Sequence, residues 1–323
     1  MNVLYIGKYP PIQGGTSSAA YWRFDGLRKY GIRVVIVTCI PSDNPYQHDL
    51  ENSHDVHILR NPISWHIPYS QLFTEQLVEK SLEVASSNPV DIVEGCYLFP
   101  YAVAAFFVAM ILKKPLIIRH AGSDLFRVAQ NGRFDSLLLR MGDYASAVVT
   151  TYEAVDKWRT LGISLSKLHI CDRYYPNPSY FINSTKENVT VFMGKITPKW
   201  DRKQLIFWHR ELLKNKFSGK IVSYSDKYTA DIIGNFFREN GFYVKCHNFV
   251  EPKCVPQILS HCKFLLVSSI PKAIPEESNL VMEGISCGCN IISTDEITEV
   301  SVSESGYLKY ILDQVSIYEC ISM

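Results

Sequence analysis

The 323-residue chain lacks the patterns that assign proteins to several specialised classes. Its nine cysteines form no C-x-x-C pair and no Cys/His spacing typical of a metal site, so we expect reduced, mostly buried thiols and no metal. An excess of charge is missing as well, because 33 basic and 32 acidic residues give a formal net charge of +1. This near balance gives no indication of nucleic acid as a partner.

Long apolar segments are also missing. The most apolar run, Leu98–Leu112, contains Pro100 and is shorter than the ~20 residues that span a bilayer. A helix packed against a sheet explains this run better. The first residues predict a strand and a loop rather than a signal peptide. We therefore expect a cytoplasmic protein, and peripheral contact with the inner face of the membrane is an alternative that the sequence leaves open.

What the chain does contain is a repeated alternation of short apolar runs and amphipathic segments. One series begins with a predicted strand at Val3–Ile6, and a second begins at Val189–Met193. Such alternation predicts parallel sheets, and the length suits two domains. The turn-rich segment Tyr175–Pro178 lies between the series. We therefore predict an N-terminal domain over residues 1–180 and a C-terminal domain over residues 181–323 with a short terminal tail.

Gly14 and Gly15 lie at the first strand-to-helix turn. Thr16 or Ser17 is predicted to cap a helix that runs to about Tyr30. In α/β folds this turn is a common phosphate site, because the helix start offers unpaired N–H groups. A plain turn is the alternative for the glycine pair.

A polar cluster follows the predicted strand Pro115–Arg119. It begins with His120 and ends with Asp124, and open α/β sheets place ligands at the carboxyl ends of such strands. His120 is therefore a candidate ligand contact, and its alternative role is to tie the loop to the backbone. For Asp124 a ligand contact and a helix N-cap are equally open.

The stretch Pro275–Asn290, PEESNLVMEGISCGCN, has the most informative pattern in the chain. Apolar residues at roughly helical spacing predict a helix that contains Glu283 and ends at Gly288, after a loop with Glu276 and Glu277. A helix that opens from a loop presents unpaired N–H groups and partial positive charge. Phosphate is suited to that helix start, and a nearby carboxylate is suited to accept hydrogen bonds from sugar hydroxyls.

Two lysines near the start of the second series form a further candidate site. Lys195 follows the strand Val189–Met193 through a glycine, and Lys203 lies a few residues further on, beside Arg202. Cations next to a strand end suit a diphosphate, because they offset its charge and neutralise a leaving group. The alternative for each of them is a solvated surface residue.

In their order along the chain, these segments resemble the retaining GT-B glycosyltransferases, especially family 4. The acidic helix resembles the E-x7-E segment of that family, with Asn279 and Glu283 on its pattern. Pro275 stands where the family has its first glutamate, so Glu276 or Glu277 takes that role only through a one-residue deletion.

The other segments extend the resemblance over nearly the whole chain. The glycine pair resembles the opening P-P-x-x-G-G of the family, and His120 begins a loop similar to H-G-S-D with Ala121 as an extra residue. Gly194-Lys195-Ile196 resembles G-R-L with lysine in place of arginine. The segment around Asn177 resembles the interdomain linker.

The resemblance implies a GT-B fold, in which two Rossmann-like domains with parallel sheets face each other across a cleft and the C-terminal one holds the nucleotide. It implies a metal-independent hexosyltransferase without a cofactor. Such an enzyme moves a sugar, with retention, from a nucleotide-diphosphate sugar to a hydroxyl of a carbohydrate, lipid-linked or small-molecule acceptor. Polysaccharide, O-antigen or glycoconjugate biosynthesis is the expected setting.

The resemblance also implies roles for individual residues. Glu283 would accept hydrogen bonds from the ribose, and the two lysines would stabilise the departing diphosphate. The implied catalytic residues are His120, Lys195, Lys203 and Glu276, and the implied donor-binding residues are Gly14, Gly15, Glu277, Ser278, Asn279, Leu280 and Glu283.

Two rival interpretations stay open at this point. A non-catalytic GT-B protein that binds nucleotide sugars, or a subunit of a biosynthetic complex, is favoured by the displaced first glutamate and by the missing glycines after Thr294. The tail after Ser305 has room for only a stub of the helix that in relatives returns to the first domain. A GT-B epimerase is a weaker alternative.

Overall fold

The computed structural model describes residues 1–40, 55–60, 71–121, 124–128, 132, 134–171, 174–196, 202–267, 279–294 and 302–322. They divide into two compact units. Unit 1 contains the described residues of Met1–Arg173 and of Leu308–Met323, and unit 2 contains those of Tyr174–Lys272 and Glu277–Tyr307. Within these ranges, no helix combines the length and the apolar character needed to cross a membrane.

Unit 1 is built on a seven-stranded parallel sheet with the strand order β3-β2-β1-β4-β5-β6-β7. Its central strands are apolar on both faces, because helices cover both sides of a parallel sheet. The strands are β1 (Asn2–Gly7), β2 (Arg33–Ile40), β3 (Val56–Arg60), β4 (Ile92–Cys96), β5 (Leu116–Arg119), β6 (Ala147–Thr150) and β7 (Leu168–Ile170).

The helices of unit 1 pack apolar faces on this sheet. In α2, Phe73, Leu77, Ser81 and Val84 are buried at helical spacing, and the Ser81 hydroxyl donates to the Leu77 carbonyl at 2.6 Å. The helices are α1 (Gly15–Arg28), α2 (Gln71–Ser87), α3 (Val103–Leu112), α4 (Asp135–Tyr144) and α5 (Val155–Thr160), with short helical segments at Leu98–Ala102, Asp124–Val128, Tyr152–Ala154 and Leu165–Lys167.

Unit 2 repeats this arrangement on a smaller scale, with a five-stranded parallel sheet in the order β10-β9-β8-β11-β12. Its core centres on Phe192, Trp208 and Phe237. The strands are β8 (Val189–Met193), β9 (Lys220–Tyr224), β10 (Tyr243–His247), β11 (Phe264–Leu266) and β12 (Asn290–Ile292). The helices are α6 (Arg202–Lys214), α7 (Lys227–Glu239), α8 (Val255–His261) and α9 (Asn279–Ser286), with a short helical segment at Pro252–Cys254.

The chain ends in a 19-residue helix, α10 (Glu304–Ser322), whose residues from Leu308 onward belong to unit 1. Where we expected only a short piece of helix, the structure has a full helix. Most of this terminal tail, which we predicted as part of the C-terminal domain (residues 181–323), belongs to unit 1. The physical reason is a stripe at helical spacing, which buries Tyr310, Gln314 and Tyr318.

Both sheets have a topological switch point, where the strand order reverses direction. It lies between β1 and β4 in unit 1 and between β8 and β11 in unit 2. The predicted pair of Rossmann-like domains with parallel sheets is thus confirmed. Ligands of such sheets bind outside the carboxyl ends of the strands at these points.

Candidate functional site

The switch point of unit 2 brings one predicted lysine to the carboxyl end of β8. Lys195 follows Gly194, which has φ +143°, and the next backbone N–H, that of Ile196, donates to Thr229 Oγ1 at 2.9 Å. The Lys195 side chain is 61% exposed, with Nζ 3.9 Å from Asp226 Oδ2 and 5.5 Å from the centre of the Phe249 ring. The loop is fixed while the ammonium group stays accessible.

The second predicted lysine lies in the first turn of α6, the helix that follows β8. Arg202 and Lys203 are both exposed there, and the turn contains no acidic residue. Cations at a helix N-terminus are unfavourable next to the positive end of the helix dipole. Their presence at this edge of the sheet suits an anion that binds between the side chains and the helix start.

The other strand at this switch point, β11, leads to α9 and Glu283. Glu283 lies in the second turn of α9 and is buried, and Tyr174 donates its hydroxyl proton to Glu283 Oε1 at 3.3 Å. Burial raises the pKa of Glu283 to about 8, and the Tyr174 hydrogen bond opposes this shift. The carboxyl group is therefore mostly protonated at pH 7 and would ionise when further donors reach it.

Close packing fixes the position of α9 on its sheet. A Cβ atom at Gly284 would lie 2.6 Å from Leu265 Cδ2 and 2.9 Å from Ile291 Cδ1, so a larger residue here would displace these side chains of β11 and β12. Gly288 has φ +75° and follows the helix end, as predicted. Glu283 is thus held on a rigid element.

The remaining predicted residues of this segment are placed only in part. Asn279 begins α9 and is buried, and Leu280 is half-buried. Glu276, Glu277 and Ser278 lie outside the described residues, so the first carboxylate of the acidic pair stays a prediction.

In unit 1, the glycine pair forms the start of α1. Gly14 is the N-cap residue, has φ +133°, and its carbonyl accepts from Ser18 N at 3.0 Å. The predicted cap at Thr16 or Ser17 is wrong, because glycine can adopt this backbone conformation and the helix therefore begins earlier, at Gly15. Gly14 has no side chain with which to cap α1, and the first turn of a helix is suited to an anion or to water.

His120 follows β5 and is buried. Its Nε2 lies 2.8 Å from Thr150 Oγ1, at the end of the neighbouring strand β6. Burial lowers the pKa of His120, so the imidazole is neutral at pH 7. Thr150 therefore contributes to fixing the ring orientation, a partner that the sequence did not indicate.

Asp124 holds the loop after β5 in place. Its Oδ1 accepts from the backbone N–H groups of Ala121 at 3.0 Å and Leu125 at 2.9 Å, and its Oδ2 accepts from Leu98 N at 2.6 Å. The carboxylate is fully buried by these contacts. These contacts tie the loop to neighbouring backbone N–H groups and do not show the N-cap of the next helix, and a ligand contact of Asp124 stays a prediction.

Sequence reasoning missed a buried charge cluster in unit 1. Glu94 in β4 accepts from Arg23 Nη2 at 2.6 Å, from Arg119 Nε at 3.1 Å and from the Tyr318 hydroxyl. Burial alone would raise the pKa of Glu94, but the charges of Arg23 and Arg119 outweigh it and hold the pKa at about 2. The available signal was a glutamate inside an otherwise apolar strand.

No protein-family model and no curated protein matches the chain. Solved structures match it over almost its full length. HepE from Anabaena, in complex with UDP and glucose, superimposes with a TM-score of 0.61 at 14% identity and covers 100% of this chain and 92% of its own. Sucrose-phosphate synthase from Thermosynechococcus elongatus gives a TM-score of 0.60 at 14% identity, with 99% of this chain and 90% of its own covered.

A third similar structure is the UDP-GlcNAc 2-epimerase from Methanocaldococcus jannaschii, with a TM-score of 0.60, 14% identity, and coverage of 97% of this chain and 92% of its own. At this level of identity the matches show the fold, which is GT-B, and the predicted fold class is confirmed. Because a synthase and an epimerase match equally well, the fold alone does not select between sugar transfer and epimerisation.

Proposed function

We propose that the chain is a retaining glycosyltransferase of the family 4 type, which uses a nucleotide-diphosphate sugar as donor. One observation carries the proposal. At the switch point of unit 2, the elements after β8 and β11 bear Lys195, Lys203 and the buried Glu283, a set of groups that suits a diphosphate and a ribose. HepE, which shares the fold, was crystallised with UDP-glucose.

The lysines are assigned to the diphosphate. Lys195 lies two residues after the end of β8, and Lys203 lies in the first turn of α6, a helix start that itself favours an anion. Charge develops on the diphosphate as the bond to the sugar breaks, and preorganised cations stabilise that charge most in the transition state. This assignment requires no metal and no cofactor.

Glu283 is assigned to the ribose of the nucleotide. Its burial makes the ionised form costly in the free protein, so two ribose hydroxyls that donate to it would stabilise the carboxylate. Binding would then displace the proton of Glu283 into solvent. Tyr174, which already donates to Oε1, fixes one side of the group.

In the proposed reaction the bond between the anomeric carbon and the diphosphate oxygen breaks, and the acceptor oxygen forms the new bond on the same face of the sugar. The acceptor proton passes to the leaving phosphate, so no protein nucleophile takes part. His120, which is neutral, remains a predicted contact of the sugar, and Glu276, Glu277, Ser278 and Asn279 remain predicted contacts of the donor. Polysaccharide or glycoconjugate synthesis is the proposed setting, with a carbohydrate, lipid-linked or small-molecule acceptor.

The test is a comparison of Lys203→Ala with Lys214→Ala in donor turnover. Lys214 is a matched control at the other end of α6, 75% exposed and paired with Glu211 at 3.4 Å. Release of nucleoside diphosphate and free sugar from a panel of nucleotide sugars is measured without acceptor. We expect turnover to fall at least tenfold in Lys203→Ala, about 1.4 kcal/mol or more, and to stay normal in Lys214→Ala. Equal turnover in both variants would remove Lys203 from the site.

Epimerisation of a UDP-sugar is the second candidate, favoured by the match to the 2-epimerase. An epimerase would convert UDP-GlcNAc to a second sugar nucleotide, whereas a transferase would release UDP and free sugar slowly. Nuclear magnetic resonance of the reaction mixture distinguishes these products. Nucleotide binding without either product would indicate a non-catalytic GT-B protein.

A further inference from the structure

We infer that unit 1 carries an oxyanion-binding site at Arg119, which takes a phosphate or carboxylate group of a ligand. The inference extends the proposed function to a second anionic group outside the lysines of unit 2. It can fail while the proposed function stands, because it rests on different residues.

The buried cluster around Glu94 holds two arginines and one carboxylate. Arg23 and Arg119 share the single carboxylate of Glu94, and their side chains are 3% and 14% exposed beside a fully buried Glu94. No other acidic side chain pairs with either arginine in the part of the chain that the structure describes. The cluster therefore holds one excess positive charge, and buried charges are normally paired.

The two arginines differ in how far the protein compensates their charges. Arg23 donates to Glu94 and, at 3.0 Å, to the Tyr318 hydroxyl, and its guanidinium lies 4.5 Å from the centre of the Phe24 ring. Its charge is thus compensated on several sides by groups of the protein. Arg119 has fewer compensating contacts, so the excess charge is assigned to Arg119.

Two of the three guanidinium nitrogens of Arg119 donate to protein acceptors. Nε donates to Glu94 at 3.1 Å, and Nη2 donates to Gln314 Oε1 at 2.9 Å from α10. Nη1 has no hydrogen-bond partner among the described residues. It is not one of the buried polar atoms without a partner, so it is accessible from outside the protein. Two protein contacts fix the plane of the guanidinium and leave donor capacity for an oxyanion.

The position of Arg119 in the sheet also suits a contact with a ligand. It is the last residue of β5 and directly precedes His120, at the carboxyl edge where parallel sheets bind ligands. A charged, oriented donor at this edge is suited to a phosphate or carboxylate, which arginine binds through short charge-assisted hydrogen bonds. Gln314 and Glu94 are the residues that hold it in place.

The test is calorimetric titration of the full chain with inorganic phosphate at fixed ionic strength. Wild type is compared with Arg119→Gln and with Arg33→Gln, a control that removes an exposed arginine paired with Asp55 at 2.8 Å in the same sheet. We expect saturable binding to wild type and to the control. In Arg119→Gln the affinity should fall about tenfold or more, as expected for the loss of one charge-assisted hydrogen bond.

The Arg119→Gln variant is expected to fold, so a loss of phosphate affinity reports on the site itself. Arg119→Gln leaves the pair of Arg23 and Glu94, which is neutral as a whole, and glutamine can still donate toward its neighbours. Arg119→Lys keeps the charge but loses the planar fork, so its affinity should lie between those of wild type and Arg119→Gln. No saturable binding to wild type, or equal affinity in Arg119→Gln, would overturn the inference.

A second titration identifies the source of the anion. If the site serves the donor, UDP competes with phosphate and binds more weakly to Arg119→Gln. If it serves an acidic acceptor, phosphate and UDP bind together and Arg119→Gln leaves UDP affinity unchanged. A failure of the proposed function appears separately, as phosphate binding without any nucleotide binding.

Discussion

Replacing Glu283 with glutamine is expected to stabilise the free protein and to weaken nucleotide binding. Glu283 is buried in α9, and the Tyr174 hydroxyl is its one hydrogen-bond partner among the described residues. Glutamine has nearly the same shape and can accept the same hydrogen bond, but it cannot ionise. The variant therefore removes the cost of burying an ionisable group and keeps the packing.

The magnitude follows from the pKa of Glu283, which burial raises from 4.5 to about 8. Between these values the folded protein keeps a proton that the unfolded chain has released, so stability is highest below pH 4.5 and falls as the pH rises to about 8. The full loss is about 5 kcal/mol, of which about 3 kcal/mol is already present at pH 7.

The assay is thermal unfolding of wild type and Glu283→Gln at pH 5, 6, 7, 8 and 9 at one ionic strength. We expect the variant to gain on the wild type as the pH rises and to melt roughly 6–12 °C higher at pH 7. Glu83→Gln, which removes an exposed carboxylate paired with Lys80, controls for the change in net charge. A difference in melting temperature that stays constant from pH 5 to pH 9 would refute the reasoning.

The same variant is expected to bind nucleotide about tenfold more weakly or worse, because one charged hydrogen bond of ~1.5–3 kcal/mol is lost. In the wild type, nucleotide affinity should rise by up to about tenfold per pH unit toward pH 8 and then level off, since binding displaces a proton. A more stable variant with unchanged affinity would confirm the burial of Glu283 and contradict its role at the ribose.

Two further changes probe the polar contacts of each unit. Tyr174→Phe removes the donor to Glu283, so the pKa of Glu283 should rise further and the pH dependence of nucleotide affinity should move to higher pH, which parallel titrations of both proteins would show. Glu94→Gln leaves Arg23 and Arg119 without their carboxylate and should cost about 3–5 kcal/mol in chemical denaturation at pH 7. The pKa of Glu94 is depressed to about 2, so this loss should shrink as the pH falls from about 4.5 towards 2, and a constant loss would contradict the ion pairs.

The strands were the most predictable part of the fold. The predicted strands Val189–Met193 and Pro115–Arg119 coincide with β8 and, to within one residue, with β5, because a strand buried on both faces is mostly apolar. The helix α10 was underestimated, although its apolar residues recur at helical spacing. Its length depends on packing against residues that lie far away in the sequence, which local patterns do not show.

The sequence predicted the residues of the candidate site that depend on neighbouring secondary structure. It did not predict contacts between residues that lie far apart in the sequence. The local pattern placed Lys195 just after a strand and Glu283 within a helix, where the structure has them, and their functional roles stay predictions. Tyr174 lies 109 residues before Glu283, and no spacing connects the two. The contact between Tyr318 and Glu94 spans 224 residues and was equally invisible.

The central claim, that unit 2 binds a nucleotide diphosphate, is tested most directly by a thermal-shift panel of nucleoside diphosphates and nucleotide sugars on the full wild-type chain. We predict that at least one base stabilises the protein, by ~2.7 kcal/mol at about 100 times its dissociation constant. A panel in which no nucleotide raises the melting temperature, even at millimolar concentration, would contradict the claim.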